Sequence, residues 1–163
     1  MWKRWETDRE KEEVSPKIFI TTFDAARLSR VLEAFHDPAY APLTGFLTDE
    51  LRRATIVEPR AVSRCVVTMD SRVRFRLDNQ DGTRDATLVC PGHEDSLLGR
   101  ISVFTPIGSA LLGMREGETV AWSGLDGRRR SVTVVKVLYQ PEDNGIDLGN
   151  AESKVGKSSC LCE

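Results

Sequence analysis

Few side chains in this 163-residue chain are equipped for chemistry: two histidines, four cysteines and, beside a predicted helix, the adjacent acids Asp49-Glu50. His36 stands just before Asp37-Pro38 at the end of an apolar-periodic stretch, where an imidazole beside the last helix carbonyls is ordinary capping. His93 follows Pro91-Gly92 and reads as a loop residue. Neither lies beside a serine or cysteine in an arrangement that activates a nucleophile, so no catalytic residue is assigned. Cys90 and His93 have a workable spacing for two ligands, but tetrahedral zinc needs a full set. Cys65 and Cys90 sit in apolar runs, where cysteine behaves as a small hydrophobe, and Cys160-x-Cys162 is a single pair near the C-terminus. No metal site and no cofactor are expected.

The arginines form the one extended chemical pattern. Arg72, Arg74 and Arg76 alternate with Val73, Phe75 and Leu77, so a strand here presents three guanidinium groups on one face. Such a stripe could lie on phosphates. Asp70, Asp78, Asp81 and Asp85 interleave with it, however, and no aromatic platform shares the outward positions. A solvated face is the better reading, and no sequence-specific nucleic-acid contact is expected. Asp49-Glu50 follow Thr48, and acids at a helix start complement its dipole.

Charge is distributed unevenly. Residues 60–141 carry twelve bases and nine acids, the only net-positive block, while residues 142–163 carry two bases and five acids. This asymmetry is far milder than the footprint of a dedicated nucleic-acid binder. Met1 to Lys17 is dense in charge and lacks the apolar stretch of a secretory signal. No apolar run approaches the ~18–20 residues of a membrane span. The expectation is a cytoplasmic monomer without membrane contact, its thiols reduced. In the tail, Gly149 to Ser158 has the wrong glycine spacing for a phosphate loop, and the final Glu163 does not suit prenylation at Cys160.

Four segments must position whatever acts here. Residues 1–17 read as a disordered charged leader. In residues 18–59, Thr21 or Thr22 can cap a helix with Asp24 in its first turn, and Leu28, Val31, Leu32 and Phe35 form one apolar stripe. A loop with Pro38, Pro42 and Gly45 follows, then a second stripe at Leu43, Leu47, Leu51 and Ala54. This is a short antiparallel helical hairpin, a small coiled coil with Asp37 and Tyr40 at its tip. Residues 60–141 switch to period two: strands near 71–77, 86–90, 100–104, 119–122 and 131–139, with a short helix over 107–112 ended by Gly113. The predicted architecture is α+β, an antiparallel sheet covering a helix. Residues 142–163 read as a disordered tail.

Three runs carry a family resemblance: Val67 to Val73, Ile101 to Glu118 with its Thr105-Pro106-Ile107-Gly108 corner, and Val137 to Glu142. They resemble the C-terminal domain of the bacterial Gre transcript-cleavage factors. Asp37-Pro38-Ala39-Tyr40-Ala41, between two short helices, is closer to the Rnk branch, the regulators of nucleoside diphosphate kinase. The resemblance spans Ile18 to Glu142. It implies an FKBP-like sheet domain, docking at the rim of the RNA polymerase secondary channel, and Thr105, Pro106, Ile107 and Gly108 as the polymerase-binding corner. In cleavage factors a longer hairpin delivers adjacent acids to the active-site magnesium, which needs both reach and paired carboxylates. This hairpin is short and its loop offers only Asp37. The implied function is a non-enzymatic transcription regulator that modulates elongation or competes with Gre factors. Alternatives are a true cleavage factor using Asp49 and Glu50, an FKBP-like prolyl isomerase or chaperone, or direct DNA binding by the arginine face.

Overall fold

A computed structural model of the chain describes residues 16–35, 38, 41–78, 80–123 and 127–145. The expected hairpin tip, Asp37 and Tyr40, lies outside them, as do His36, the leader up to Ser15 and the tail from Ile146.

The chain begins with strand β1 (Phe19–Thr21), which runs straight into helix α1 (Thr22–Ala34). Thr21 is the cap: its hydroxyl accepts the Asp24 N–H at 3.0 Å, satisfying one of the orphan donors of the first turn. Leu28 and Val31 are buried, and Leu32 and Phe35 pack against them, as the apolar stripe predicts. Helix α2 (Ala41–Arg53) follows and leads into strand β2 (Thr55–Val57). β1 and β2 pair in parallel, Ile20 opposite Ile56, so the two helices leave and return at one clamped base. These three-residue strands have no counterpart in the sequence reading.

After a 3₁₀ turn at Pro59–Ala61, five strands form one sheet: β3 (Arg72–Leu77), β4 (Arg84–Val89), β5 (Arg100–Ser102), β6 (Thr119–Ser123) and β7 (Arg129–Tyr139), in the order β5-β4-β3-β7-β6. Val73 and Phe75 point inward and Arg72, Arg74 and Arg76 outward, as alternation requires. The sheet is mixed, which corrects the antiparallel expectation: β5 runs parallel to β4, with Leu88 opposite Ile101. The ten-residue excursion from Cys90 to Gly99 lets the chain return in the same direction. Register shifts in the β3–β7 pairing add curvature.

Helix α3 (Pro106–Leu111) packs against β5, β7 and α2. Its end is fixed by Gly113, which has φ +75° and sits where a Cβ would come within 2.9 Å of both Ile18 Cβ and the Phe19 carbonyl oxygen. That close approach allows the Phe19 N–H to donate to the Gly113 carbonyl at 3.0 Å. The buried apolar cluster is continuous across residue 60, joining Leu28, Val31 and Leu47 of the hairpin to Val73, Leu88, Val103 and Leu112. At about 1.5–3 kcal/mol for each large side chain fully buried, this shared core seats the hairpin on the sheet. Ordered chain continues past β7 through a 3₁₀ turn at Glu142–Asn144. No described helix is long and apolar enough to cross a membrane.

Candidate functional site

The corner between β5 and α3 is built by local hydrogen bonds. The Thr105 hydroxyl donates to the Ser102 carbonyl at 2.8 Å and accepts the Gly108 N–H at 3.0 Å, and Pro106 fills the first helical turn, where its missing N–H costs nothing. Ser109 Oγ donates to the Val103 carbonyl at 2.7 Å. Thr105, Pro106 and Ile107 are half-buried, and Ile107 rests partly on the core, so it is less open than an exposed corner would be. Gly108 is buried. A Cβ there would lie 2.1 Å from the Ser102 carbonyl oxygen, so this position is glycine because two backbone segments touch. Behind the corner, Phe35 at the end of α1 meets Phe104 edge to face, centroids 5.1 Å apart. This contact joins the hairpin to the corner.

A second junction ties the base of α1 to the turn before β3. Arg27 donates to Asp70 at 2.9 Å, and Asp24 Oδ2 accepts the Met69 N–H at 3.1 Å. Beside them the Thr68 hydroxyl donates to Glu142 at 2.7 Å. Asp24 is only 1 % exposed, and burial pushes its carboxyl up to about 7 despite the Met69 N–H. Arg27, Asp70, Thr87, His93 and Arg100 line a small cavity of about 120 Å³ at the edge of this junction.

Asp49 and Glu50 correct their sequence reading. They lie in the C-terminal half of α2, not at its start, and form i,i+3 ion pairs there: Asp49 with Arg52 at 3.9 Å, Glu50 with Arg53. The arginine stripe is largely occupied. Arg74 makes a bidentate pair with Asp85 at 2.7 and 3.0 Å, and Arg72 approaches the same carboxylate at 3.6 Å. The Arg74 bonds hold Asp85 below the usual carboxylate range. Both features favour the solvated-face reading. Among the described residues no group of three or more His, Cys, Asp or Glu could hold a metal ion. Cys90 is buried in the apolar core, as expected of a small hydrophobe. Cys65 is a free thiol and only half-buried, in a turn rather than a strand.

One surface feature had no signal in the sequence reading. Leu97 and Leu98 are 96 % and 63 % exposed. Asp95 Oδ1 accepts both of their N–H groups, at 2.9 and 3.2 Å, which holds the loop with its leucines outward. Only the Asp-Ser pair before them, an Asx-turn pattern, could have hinted at this.

Comparison with known proteins places this geometry. Residues 62–139 match the family model for the C-terminal domain of the transcription elongation factors GreA/GreB, and residues 16–57 match the model for the Rnk N-terminus. The chain is 39% identical over 132 residues to a "Regulator of nucleoside diphosphate kinase" from Escherichia coli strain K12, covering 80% of this chain and 95% of that one. It is 39% identical over 80 residues to transcription elongation factor GreA of Chlorobaculum parvum, about half of each chain. Among solved structures it is similar to a prokaryotic transcription elongation factor GreA/GreB from Nitrosomonas europaea, at 39% identity and a TM-score of 0.59, over 76% of this chain and 99% of that one. The fold is the GreA type: N-terminal helices, then a curled five-stranded sheet with a short helix. The chain belongs to the Gre factor family, as a member of its Rnk-like branch.

Proposed function

We propose that the chain regulates transcription by docking on RNA polymerase at the rim of the secondary channel, where it modulates elongation or competes with Gre factors and does not stimulate RNA cleavage. The sheet acts as the FKBP-like docking module. Thr105, Pro106 and Ile107 form the contact, with Gly108 holding the corner in shape. The short hairpin sits at the channel mouth with Asp37 and Tyr40 at its tip.

The observation that carries the absence of cleavage is the position of the paired acids. Asp49 is eight residues from the start of α2, so the Asp49-Glu50 pair lies roughly 12 Å back along the helix at ~1.5 Å per residue. Each carboxylate is also matched by an arginine on its own helix. Carboxylates set back from the leading end and already paired are poorly placed to hold a second metal at a distant active site. The test is a pull-down of RNA polymerase followed by a cleavage assay on a backtracked elongation complex. Binding without stimulated cleavage is expected. Robust cleavage, lost in an Asp49→Ala, Glu50→Ala double variant, would overturn the reading.

A further inference from the structure

The base of the hairpin gathers three carboxylates: Asp24 is buried, Glu142 is half-buried, and the Asp70 side chain is 43 % exposed. Asp24 comes from the first turn of α1, Asp70 from the turn before β3 and Glu142 from the 3₁₀ turn after β7; Arg27 stands among them, and Arg100 and His93 line the adjoining cavity beside Arg27 and Asp70. Arg27 bonds Asp70 at 2.9 Å but stays 4.0 Å from Asp24 Oδ1. Asp24 Oδ1 and Glu142 Oε1 are both buried without a hydrogen-bond partner. Asp70 is solvated and paired with Arg27, so the solvation cost falls chiefly on Asp24, whose ionised carboxylate would be buried with Oδ1 unbonded. A proton on Asp24 removes that cost.

We propose that Asp24, set beside Arg27, Asp70 and Glu142, forms a proton-operated latch between the helical hairpin and the sheet: with a proton on Asp24 α1 is held on the Thr68–Ser71 turn, and loss of that proton releases α1 locally while the sheet stays folded. The groups acting on Asp24 come from every element around it. Burial acts first, opposed by the Met69 N–H; then Glu142 raises its proton affinity, Arg27 lowers it and Asp70 raises it. Glu142 is raised in turn, by burial before all else, against the Thr68 hydroxyl. The protonated form is therefore the closed form. Opening hydrates Asp24, restores its ordinary acidity and releases the proton, so alkaline conditions favour opening. The junction lies beneath the α1 stripe and not at the β5–α3 corner, so this inference stands whether or not the corner docks on polymerase.

The test is amide hydrogen exchange on the full chain at pH 5.0 and 7.5, corrected for intrinsic exchange. At pH 7.5, Met69 and the α1 amides of Leu28 and Val31 are expected to be at least ten-fold less protected than those of Val73 and Phe75 in β3. Lowering the pH to 5.0 should raise α1 protection by roughly ten-fold or more, one proton supplying up to ten-fold per pH unit. Asp24→Asn keeps an acceptor for Met69 and cannot ionise, so its α1 protection should be equal at the two pH values. Equal protection of α1 and β3 at pH 7.5 overturns the latch, as does a wild type indifferent to pH or a variant that keeps the dependence. If Asp24→Asn does not fold, carbon-detected titration of the Asp24 carboxyl in the wild type decides: a midpoint below pH 5 overturns the proposal, and one near 7 supports it.

Discussion

The Arg27 guanidinium donates to the Asp70 carboxylate at 2.9 Å, joining α1 to a turn 43 residues further along the chain. Asp70 is the one described non-glycine residue with a positive φ, at 62°. A left-handed aspartate at the start of the sheet domain is the sort of backbone cost that a tertiary contact must offset. Arg27→Met keeps the apolar stem and removes the charge, leaving Asp24 and Asp70 without their shared cation. We expect urea denaturation to show a loss of about 1–3 kcal/mol at neutral pH. A loss below a few tenths would mean the pair contributes nothing to stability.

Glu142→Gln should stabilise the protein at neutral pH. Glutamine preserves an acceptor for the Thr68 hydroxyl and removes a carboxylate that burial makes reluctant to ionise. The direction follows from linkage. The folded-state proton affinity is raised, so native glutamate costs nothing below its ordinary range and progressively more as pH rises through the folded value. The gain should be present at pH 7.5 and absent near pH 4. Urea midpoints for both chains across that range measure it, and a gain that grows on acidification would contradict it.

Gly108→Ala should be among the most damaging small substitutions in the chain. The new methyl would lie 2.1 Å from the Ser102 carbonyl oxygen, inside a turn already fixed by Thr105. Relief requires moving backbone, so a loss of about 3 kcal/mol or more is expected in thermal or urea melts. Gly113→Ala combines a positive φ of 75° with contact at 2.9 Å to Ile18 and should cost a similar amount. A variant that melts like the wild type would show that the corner yields more easily than its hydrogen bonds suggest.

Ile107→Asp tests the docking surface. Since Ile107 is half-buried, the substitution should cost about 1–2 kcal/mol in stability yet leave a folded chain by circular dichroism. Polymerase affinity should fall at least ten-fold in a quantitative pull-down. Unchanged affinity in the folded variant would move the interface elsewhere, with the exposed Leu97-Leu98 loop the next surface to mutate.

Much of this architecture was legible because its signals are periodic. Arg72 to Leu77 alternates, Leu28 to Phe35 repeats with the helical period, and Thr105-Pro106 announces a helix start. Other features carry no local signal. β1 and β2 are three residues each, too short to show a period, and their pairing is a tertiary event. The parallel arrangement of β5 depends on where the Cys90–Gly99 excursion goes. Asp24 looked like an acid placed for the helix dipole, and the dipole does favour it there. Its burial under the Met69 turn is set by residues more than 40 positions away. Asp49 and Glu50 were misplaced because Thr48 resembles a cap, whereas its hydroxyl actually donates back to the Thr44 carbonyl at 2.8 Å inside a helix already under way.

The parallel clamp of β1 on β2 also bears on how such a hairpin can change over evolutionary time. Its strands fix where the two helices begin and end, independently of how far they extend. Matched insertions of whole turns in α1 and α2 would lengthen the arm by about 5.4 Å each while leaving the clamp and the Gly113 contact untouched. An insertion in one helix alone would put the apolar stripes out of phase. Arm length can therefore drift in paired steps on a constant base, so that one docking module can carry arms of different reach and reach can be selected separately from attachment.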